Sequence, residues 1–377
     1  MTDWRRIIIL TASLLAVDQL GALTTIGDGD LLLEVDSRIT YDSNIFVNAT
    51  EEDDFVLAAQ PMLVYRREQS LIHSEIGAGV ELLKFIDNDD FDSANVRTYF
   101  ELSAPHGIDN PNWFAAIYGG FNQFTEAYAV NANLEEFDLY NLNAYAAYYF
   151  SEAFGIKFEP GVRYHDTDTT GFVDRTRYTA ATGLLYEPNE ALAYEVTYRY
   201  RLNDIHDANP DLSSQDHAVF AGVEGGLSEN LTLELRLGAQ HRVFENSFDD
   251  STEPYFFAGA AWQSTERLEI TLEAEQDFGT ASSNLSENVL SIELGARYAF
   301  DEQLTFFANG GWEDAEFLQP NETERRDDAW TLSGGARYDF TEQLSAEAEV
   351  GVETRDSTSP FSAYNRLRAT LGIAWAL

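Results

Sequence analysis

The chain has 377 residues, a formal charge of −42 from 65 acidic and 23 basic side chains, and no cysteine. A field of that sign repels phosphate backbones and argues against nucleic-acid binding, and the lack of cysteine excludes disulfides and thiolate chemistry. No internal apolar run is long enough for a transmembrane helix. Aromatic side chains make up 13% of the chain and recur periodically, so the acidity does not indicate disorder.

The N-terminal segment has the pattern of an export signal. Arg5 and Arg6 precede an apolar stretch over residues 7–17, and small residues follow it. This stretch is too short to span a bilayer but suits the hydrophobic region of a signal peptide. We therefore expect a signal peptide over residues 1–24 and a single β-barrel domain over residues 25–377. An uncleaved anchor is the alternative interpretation.

From about residue 31 the chain repeats one unit. An alternating strand and a short polar turn are followed by a second strand and a longer acidic or Asn-rich loop. A polar turn between apolar flanks is what a tight hairpin needs, and the flanking aromatics are expected to form a girdle at headgroup depth. The most similar turns are Phe150-Ser-Glu-Ala-Phe154, Leu227-Ser-Glu-Asn-Leu231, Phe300-Asp-Glu-Gln-Leu304 and Phe340-Thr-Glu-Gln-Leu344.

Short turns on one side and long loops on the other are typical of outer-membrane barrels. The predicted fold is all-β: a transmembrane antiparallel up-and-down β-barrel of about 18 strands (about 16–18), with short periplasmic turns and longer acidic extracellular loops. A soluble all-β fold is the alternative. The predicted strands begin near Leu31, Phe55, Leu71, Ala94, Trp113, Phe137, Phe154, Arg175, Ala191, Asp216, Leu231, Pro254, Leu268, Asn288, Leu304, Asp328, Leu344 and Ala363.

The last strand has an apolar face that becomes aromatic near its end and an opposite face of small or polar residues. Its spacing resembles the C-terminal β-signal of bacterial outer-membrane barrels, with Thr370, Gly372, Trp375 and Leu377 in the four positions. Leu377 departs from the pattern, because Phe is commoner there. The resemblance implies that the barrel-assembly machinery contacts the chain through this strand.

If the apolar positions face lipid, the alternate positions face the lumen. Charges cost several kcal/mol on the lipid face, so they must point inward whatever the function. Two interpretations stay open: ion pairs within the wall and a specific path for polar solutes. Tyr99, Tyr149 and Phe307 share the lumen phase, where aromatic faces suit either sugar rings or wall packing. The predicted lumen-lining residues are Arg163, Arg199, Arg201, Glu234, Arg236, Glu273, Glu275, Glu293, Arg297, Arg337, Glu347 and Glu349.

No pattern in the sequence indicates a catalytic, cofactor or metal site. The six histidines form no HxxxH or HxH pair, and G-x-S-x-G, P-loop and dinucleotide motifs do not occur. The segment from Asp166 to Gly171 begins like an EF-hand loop, but Arg177 occupies the position that requires Glu. Weak divalent binding at loop tips stays open. We predict a protein that is not an enzyme and has no cofactor.

Residues 31–46 carry a second resemblance. Tyr41-Asp-Ser-Asn-Ile-Phe46, after an amphipathic first strand, resembles the opening of the putative β-barrel porin family. The similarity extends through residues 55–66 and 75–86, and beyond residue 100 it is one of pattern. The resemblance implies a pore in the outer membrane of a Gram-negative bacterium. Members often lie in exopolysaccharide loci, which suggests polysaccharide export.

The leading functional hypothesis is passive passage of a polysaccharide or other polar solute across the outer membrane. The first alternative is a general diffusion porin that prefers cations because of its acidic loops. The second is a closed structural or adhesive barrel. The expected partners are outer-membrane lipid, the assembly machinery, polysaccharide and periplasmic export components, with no nucleic acid.

Overall fold

The computed structural model of the chain describes residues 22–68, 71–105, 112–128, 133–167, 173–189, 191–206, 212–245, 249–281, 285–318, 325–359 and 362–377. Within these residues no helix is long and apolar enough to cross a membrane. The strands are β1 Thr24–Ile26, β2 Gly29–Asp42, β3 Asp54–Arg67, β4 His73–Phe85, β5 Ser93–Ala104, β6 Trp113–Tyr128, β7 Asn133–Tyr149, β8 Phe154–Thr167, β9 Arg175–Asn189, β10 Leu192–Ile205, β11 Ser214–Ser228, β12 Leu231–Phe244, β13 Ser251–Thr265, β14 Leu268–Thr280, β15 Ser286–Ala299, β16 Leu304–Phe317, β17 Arg326–Asp339, β18 Leu344–Ser357 and β19 Tyr364–Ala376.

Strands β2 to β19 form a closed antiparallel barrel of 18 strands, each paired with its neighbours in the chain. The barrel closes where β19 pairs with β2, with Leu371 opposite Ile39. Beyond that ladder, Leu377 and Leu33 exchange two backbone hydrogen bonds of 2.9 and 2.7 Å. The short β1 folds back on β2 as a small hairpin. The predicted strand count is confirmed, and each predicted start lies within four residues of the observed one.

The register separates an apolar outer face from a polar inner face. Leu371, Ile39 and Leu57 follow one another across β19, β2 and β3 and are all exposed. Further round the barrel, Leu184 is 63% exposed and Leu332 is 61% exposed. A continuous belt of exposed aliphatic side chains is a surface suited to lipid, since water would penalise it heavily.

The short turns close in the same way because their sequences match. In three of them the N–H of an aromatic residue donates to the carbonyl oxygen four residues on, from Phe150 to Phe154, Phe300 to Leu304 and Phe340 to Leu344. A side-chain oxygen at the next position, on Ser151, Asp301 or Thr341, accepts the backbone N–H of the residue that starts the following strand. Such side-chain-to-backbone bonds stabilise tight turns. In Asp301, two backbone N–H groups hold the pKa of the carboxyl below its usual range.

Exposed aromatic residues gather at the short-turn end of the barrel. They flank the turns on the outer face, as the girdle of an outer-membrane barrel does. The belt comprises Trp113, Tyr148, Phe150, Phe154, Tyr186, Tyr194, Trp262, Tyr298, Phe300, Phe306, Tyr338, Phe340 and Trp375. By this criterion the short turns face the periplasm and the opposite, long-loop end faces outward.

One of the longer acidic loops that the sequence indicates, from Thr125 to Glu136, is mostly strand in the structure. Strand β6 continues to Tyr128, and β7 begins at Asn133. These two strands are the longest in the barrel, at 16 and 17 residues. Their alternation of aromatic and polar residues continues through the acidic stretch, so that stretch pairs instead of looping.

We expect Thr341→Val to lower the free energy of unfolding by about 1 kcal/mol, since two turn N–H groups lose their acceptor. Thr341→Ser keeps the hydroxyl and should unfold at the wild-type urea concentration. Urea unfolding of the barrel in lipid vesicles measures both. Equal destabilisation of the two variants would show that the hydroxyl is not what stabilises the turn.

Candidate functional site

The inner face of the barrel carries the predicted charged residues. Residues that pair across neighbouring strands point to the same face of the barrel wall. Arg201 lies opposite Asp216, and Asp216 lies opposite Arg242. The twelve predicted lumen residues, named above, all lie on this inner face, as do Tyr99, Tyr149 and Phe307. Whether they conduct a solute stays a prediction, since many are engaged in ion pairs within the wall.

A cavity of about 920 Å³ occupies the lumen towards the short-turn end, and we call it the periplasmic cavity. Its aromatic lining residues are Tyr99, Phe100, Phe114, Tyr118 and Tyr145. Its charged lining consists of eight glutamates (Glu34, Glu75, Glu101, Glu159, Glu187, Glu195, Glu224 and Glu234) and three bases (Arg66, Lys157 and Arg236). The excess of carboxylates gives this half of the lumen an acidic character.

Ion pairs between strands fix the bases of the periplasmic cavity. Lys157 Nζ lies 2.7 Å from Glu159 Oε1 and 2.5 Å from Glu195 Oε2. Arg236 Nε donates to the other oxygen of Glu195 at 2.9 Å. Glu195 on β10 therefore joins β8 to β12. Glu101 and Glu224 of the lining make no hydrogen bond or ion pair among the described residues, so their carboxylate oxygens can accept hydrogen bonds from a solute.

At the long-loop end, β14 leaves its neighbour and turns into the lumen. The β13–β14 ladder ends at Phe256 opposite Gln276, whereas β14 stays paired with β15 as far as Thr280 opposite Ser286. We call residues 277–281 the β14 tip. It lies against the inner face of strands β9 to β12, up to five strands away in the barrel order.

Five arginines hold the β14 tip in place, and we call them the basic cluster: Arg175 and Arg177 on β9, Arg199 and Arg201 on β10, and Arg242 on β12.

The carboxylate of Asp277 accepts hydrogen bonds from Arg199 at 2.7 Å and from Arg201 at 2.8 and 2.9 Å. Arg242 donates to the Gly279 carbonyl at 2.8 Å, and Arg175 to the Ala281 carbonyl at 2.6 Å. Charge-assisted bonds of this kind are among the strongest in proteins.

This sector of the lumen is densely packed. Arg242 is 0% exposed, with its guanidinium on the ring of Phe278 and bonded to Asp216 at 2.6 and 2.8 Å. Gln240 is also fully buried and accepts the N–H of Phe278 at 3.2 Å. The β14 tip thus narrows the lumen as a fixed element on one side.

The first loop at the same end also folds inward. Ile45 and Phe46 pack with Phe85, and Val56 and Leu83 complete this cluster with Phe91. Val56, Leu83 and Phe85 belong to the inner face, because they alternate with exposed Leu57 and Leu82. The loop therefore places apolar side chains over the lumen next to the wall of β3 and β4.

Asn44 fixes the shape of this loop. It is 0% exposed; its side chain donates to the carbonyl oxygens of Asn48 and Asn365 and accepts the N–H of Asn48. Its own N–H donates to Asp42, which also pairs with Arg366. The segment Tyr41-Asp-Ser-Asn-Ile-Phe46 is therefore a structural unit that folds the loop inward.

The residues of the predicted β-signal lie at the seam between β19 and β2. Thr370 Oγ1 is 3.0 Å from Thr40 Oγ1 across the seam, Trp375 is exposed on the outer face, and Leu377 bonds to Leu33. A Cβ added to Gly372 would meet atoms no closer than 3.7 Å, which is ordinary contact. The folded barrel itself does not require glycine there.

Other candidate sites receive no support from the geometry. No group of three or more potential ligands that could hold a metal ion occurs among the residues that the structure describes. The EF-hand-like segment that starts at Asp166 lies partly outside those residues, at 168–172. Residues 1–21 also lie outside them, so the signal peptide stays a prediction.

Comparison with known proteins identifies the family. The family described as "Putative beta-barrel porin 2" matches residues 115–376, more than half of the chain. The chain belongs to this family. The match starts beyond residues 31–86, where the motif resemblance lies, so the porin is identified by a different part of the barrel. No curated protein matches the chain.

Solved structures support the fold of this porin. OccK2 (OpdF) of Pseudomonas aeruginosa, solved in complex with glucuronate, has a TM-score of 0.53 at 11% identity, covering 93% of this chain and 98% of that one. OpdK of the same organism, solved with vanillate, has a TM-score of 0.51 at 9% identity, covering 92% and 98%. At these identities the likeness concerns the fold alone.

Family and fold together place this porin in the outer membrane of a Gram-negative bacterium, as a channel for solutes. Porins of this family and fold are known as channels and not as enzymes. Sequence reasoning missed the β14 tip and the inward first loop. The only signal for the tip was a run of small and polar residues, Gly279 to Ser283, after Phe278.

We expect Asp277→Ala to release the β14 tip and to raise the single-channel conductance. The substitution leaves Arg199 and Arg201 without their shared carboxylate and removes three charge-assisted hydrogen bonds that hold the tip. Planar-bilayer recording measures the unit conductance of the porin.

Glu349→Ala is the matched control for this experiment. It removes the same charge from the inner face, at a residue with no ion pair among the described part of the chain. Its unit conductance should stay near that of the wild type. An equal rise in both variants would mean that lumen charge, and not the tip, sets the conductance.

Proposed function

We propose that this porin guides a polysaccharide chain passively across the outer membrane, as part of exopolysaccharide export. The observation that supports it is the lining of the periplasmic cavity. Faces of Tyr118 and Tyr145 and unshared carboxylate oxygens line one space of about 920 Å³. Sugar rings present C–H groups, which pack on electron-rich aromatic faces, and hydroxyls, which donate to carboxylates.

The volume of the periplasmic cavity fits this proposal. About 300–1,000 Å³ is usual for a site that holds a drug-sized ligand, so 920 Å³ accommodates several linked sugar units. The cavity lies towards the short-turn end, where a chain leaving the periplasm would enter. Tyr99 and Tyr149 are held in place by hydrogen bonds to Glu75 and Glu187, at 2.8 and 2.6 Å. A rigid lining binds without losing side-chain entropy.

The glucuronate and vanillate of the solved neighbours are ligands of those proteins. For this porin they support only the general idea that such a barrel admits organic solutes. The sugar polymer is inferred from the chain's own lining.

We further propose that β19 is the strand which the barrel-assembly machinery contacts, and that a periplasmic export component meets the short turns of the barrel. Gly372 supports the first part, because the folded barrel imposes no steric need for it. A glycine at a position without a packing reason suits close approach of another backbone.

Single-channel recording with added oligosaccharides tests the proposed function. We expect a neutral oligosaccharide on the short-turn side to block the wild-type current reversibly, and Tyr118→Leu to weaken the block about tenfold through loss of an aromatic contact. Tyr140→Leu is the control, because Tyr140 is exposed on the outer face. Single-channel current steps that sugars do not block would favour the general diffusion porin. A folded barrel that gives no current steps would favour a closed structural barrel.

A further inference from the structure

A second cavity of about 240 Å³ lies in the lumen wall beside the β14 tip, and we call it the side cavity. Its lining includes Arg163 and His165 of β8, Arg175 and Arg177 of β9, Asn203 of β10 and Thr280 of the tip. No carboxylate belongs to the lining among the described residues. Such a concentration of bases is unusual in a chain of formal charge −42.

Two of the arginines have no acidic partner within the described part of the chain. Arg163 is exposed to the lumen and makes no hydrogen bond or ion pair there. Arg177 donates only to neutral oxygens, to Asn203 Oδ1 at 2.8 Å and to Thr280 Oγ1 at 3.2 Å. The other arginines of the basic cluster that bind Asp277 or Asp216 are neutralised. A half-buried guanidinium without a counter-charge is unfavourable unless an anion joins it.

His165 supplies an independent observation. It is 7% exposed, it lines the side cavity, and neither of its ring nitrogens has a hydrogen-bond partner. Its ring stacks on Phe137 with centroids 4.4 Å apart, which holds it in position. Buried polar groups are nearly always hydrogen-bonded, and an exception calls for an explanation such as a missing ligand.

Two acids near this wall make their hydrogen bonds outside the side cavity. Asp174 accepts from Tyr164 Oη at 3.1 Å and from the N–H of Thr167 at 3.0 Å. Glu135 accepts from the hydroxyl of Thr167 through Oε1, and its Oε2 has no hydrogen-bond partner. Neither belongs to the lining of the side cavity.

We propose that the side cavity is a built site for the anionic group of a passing solute, and hence that the transported chain carries carboxylate or other acidic substituents. The inference deepens the proposed function and rests on it. Arg163 and Arg177 would supply the charge, and Thr280 would place the site on the β14 tip, where the lumen is narrow. Guanidinium groups bind carboxylate and phosphate by paired charge-assisted bonds.

Isothermal titration of the purified full-length barrel tests the site, with galacturonate as the acidic probe and galactose as the neutral one. We expect galacturonate to bind the wild type and to bind the Arg163→Gln/Arg177→Gln double variant at least about tenfold more weakly, as loss of charge-assisted bonds implies. Arg163→Gln alone should show part of the loss. Because the Arg163 side chain makes no hydrogen bond or ion pair within the described chain, that variant should fold normally.

Arg297→Gln is the matched control, because Arg297 is a lumen arginine on β15 without an ion pair in the described residues, and it does not line the side cavity. Equal galacturonate affinity in the double variant would overturn the proposal. An equal loss of galacturonate affinity in Arg297→Gln would also overturn it, because any lumen arginine would then have the same effect.

The proposed function and the anion site can be refuted independently of each other. Wild-type barrels that bind galacturonate but carry no current would refute the channel for sugars and leave the anion site standing. Barrels that are blocked by a neutral oligosaccharide but do not bind galacturonate would refute the anion site and leave the channel standing.

Discussion

A backbone that crosses hydrocarbon must satisfy each N–H and C=O within the protein, and the pairing of β19 with β2 completes that requirement here. Closure leaves no free edge in the wall and forces successive side chains to opposite faces. The apolar set must then face lipid. The charged and small residues must then face the lumen. Closure of the barrel therefore accounts for the acidic interior whatever function the lumen has.

The lumen charges in turn support the wall. Glu195 joins Lys157 to Arg236, Glu81 joins Arg38 to Arg97, and Asp327 joins Arg325 to Arg355. Each carboxylate links residues that are distant in sequence or on different strands. In a solvated lumen such pairs contribute modestly to stability, but they fix side-chain positions. A side chain fixed by two partners presents a defined surface to a solute, whereas an unpaired side chain samples many conformations in the lumen.

The period of two made the strands, the phase of the lumen residues and the matched turns predictable from sequence, because each depends on neighbours within about ten residues. Arg163, Glu273 and Glu349 could be assigned inward for that reason alone. The β14 tip could not, because its position depends on Arg199 and Arg242, more than 30 residues away. The strand pattern of β14 is unbroken up to Thr280, so nothing local shows that the ladder to β13 has ended. The inward first loop was hidden similarly, since Asn44 binds Asn365 at the other end of the chain.

The two charge zones of the lumen make net charge a poor guide to selectivity. A formal charge of −42 suggests a cation-preferring pore, and the periplasmic cavity agrees with it. Arg163 and Arg177, however, lie at the narrower long-loop end without an acidic partner among the described residues, where a permeating ion passes closest to the wall. A small cation is stabilised in the first zone and repelled in the second, and a small anion meets the reverse. A long solute with hydroxyls and acidic groups spans both zones at once. Attraction of its acidic groups to the arginines offsets their repulsion by the carboxylates of the periplasmic cavity. The order of the zones therefore favours an extended polar chain over either simple ion.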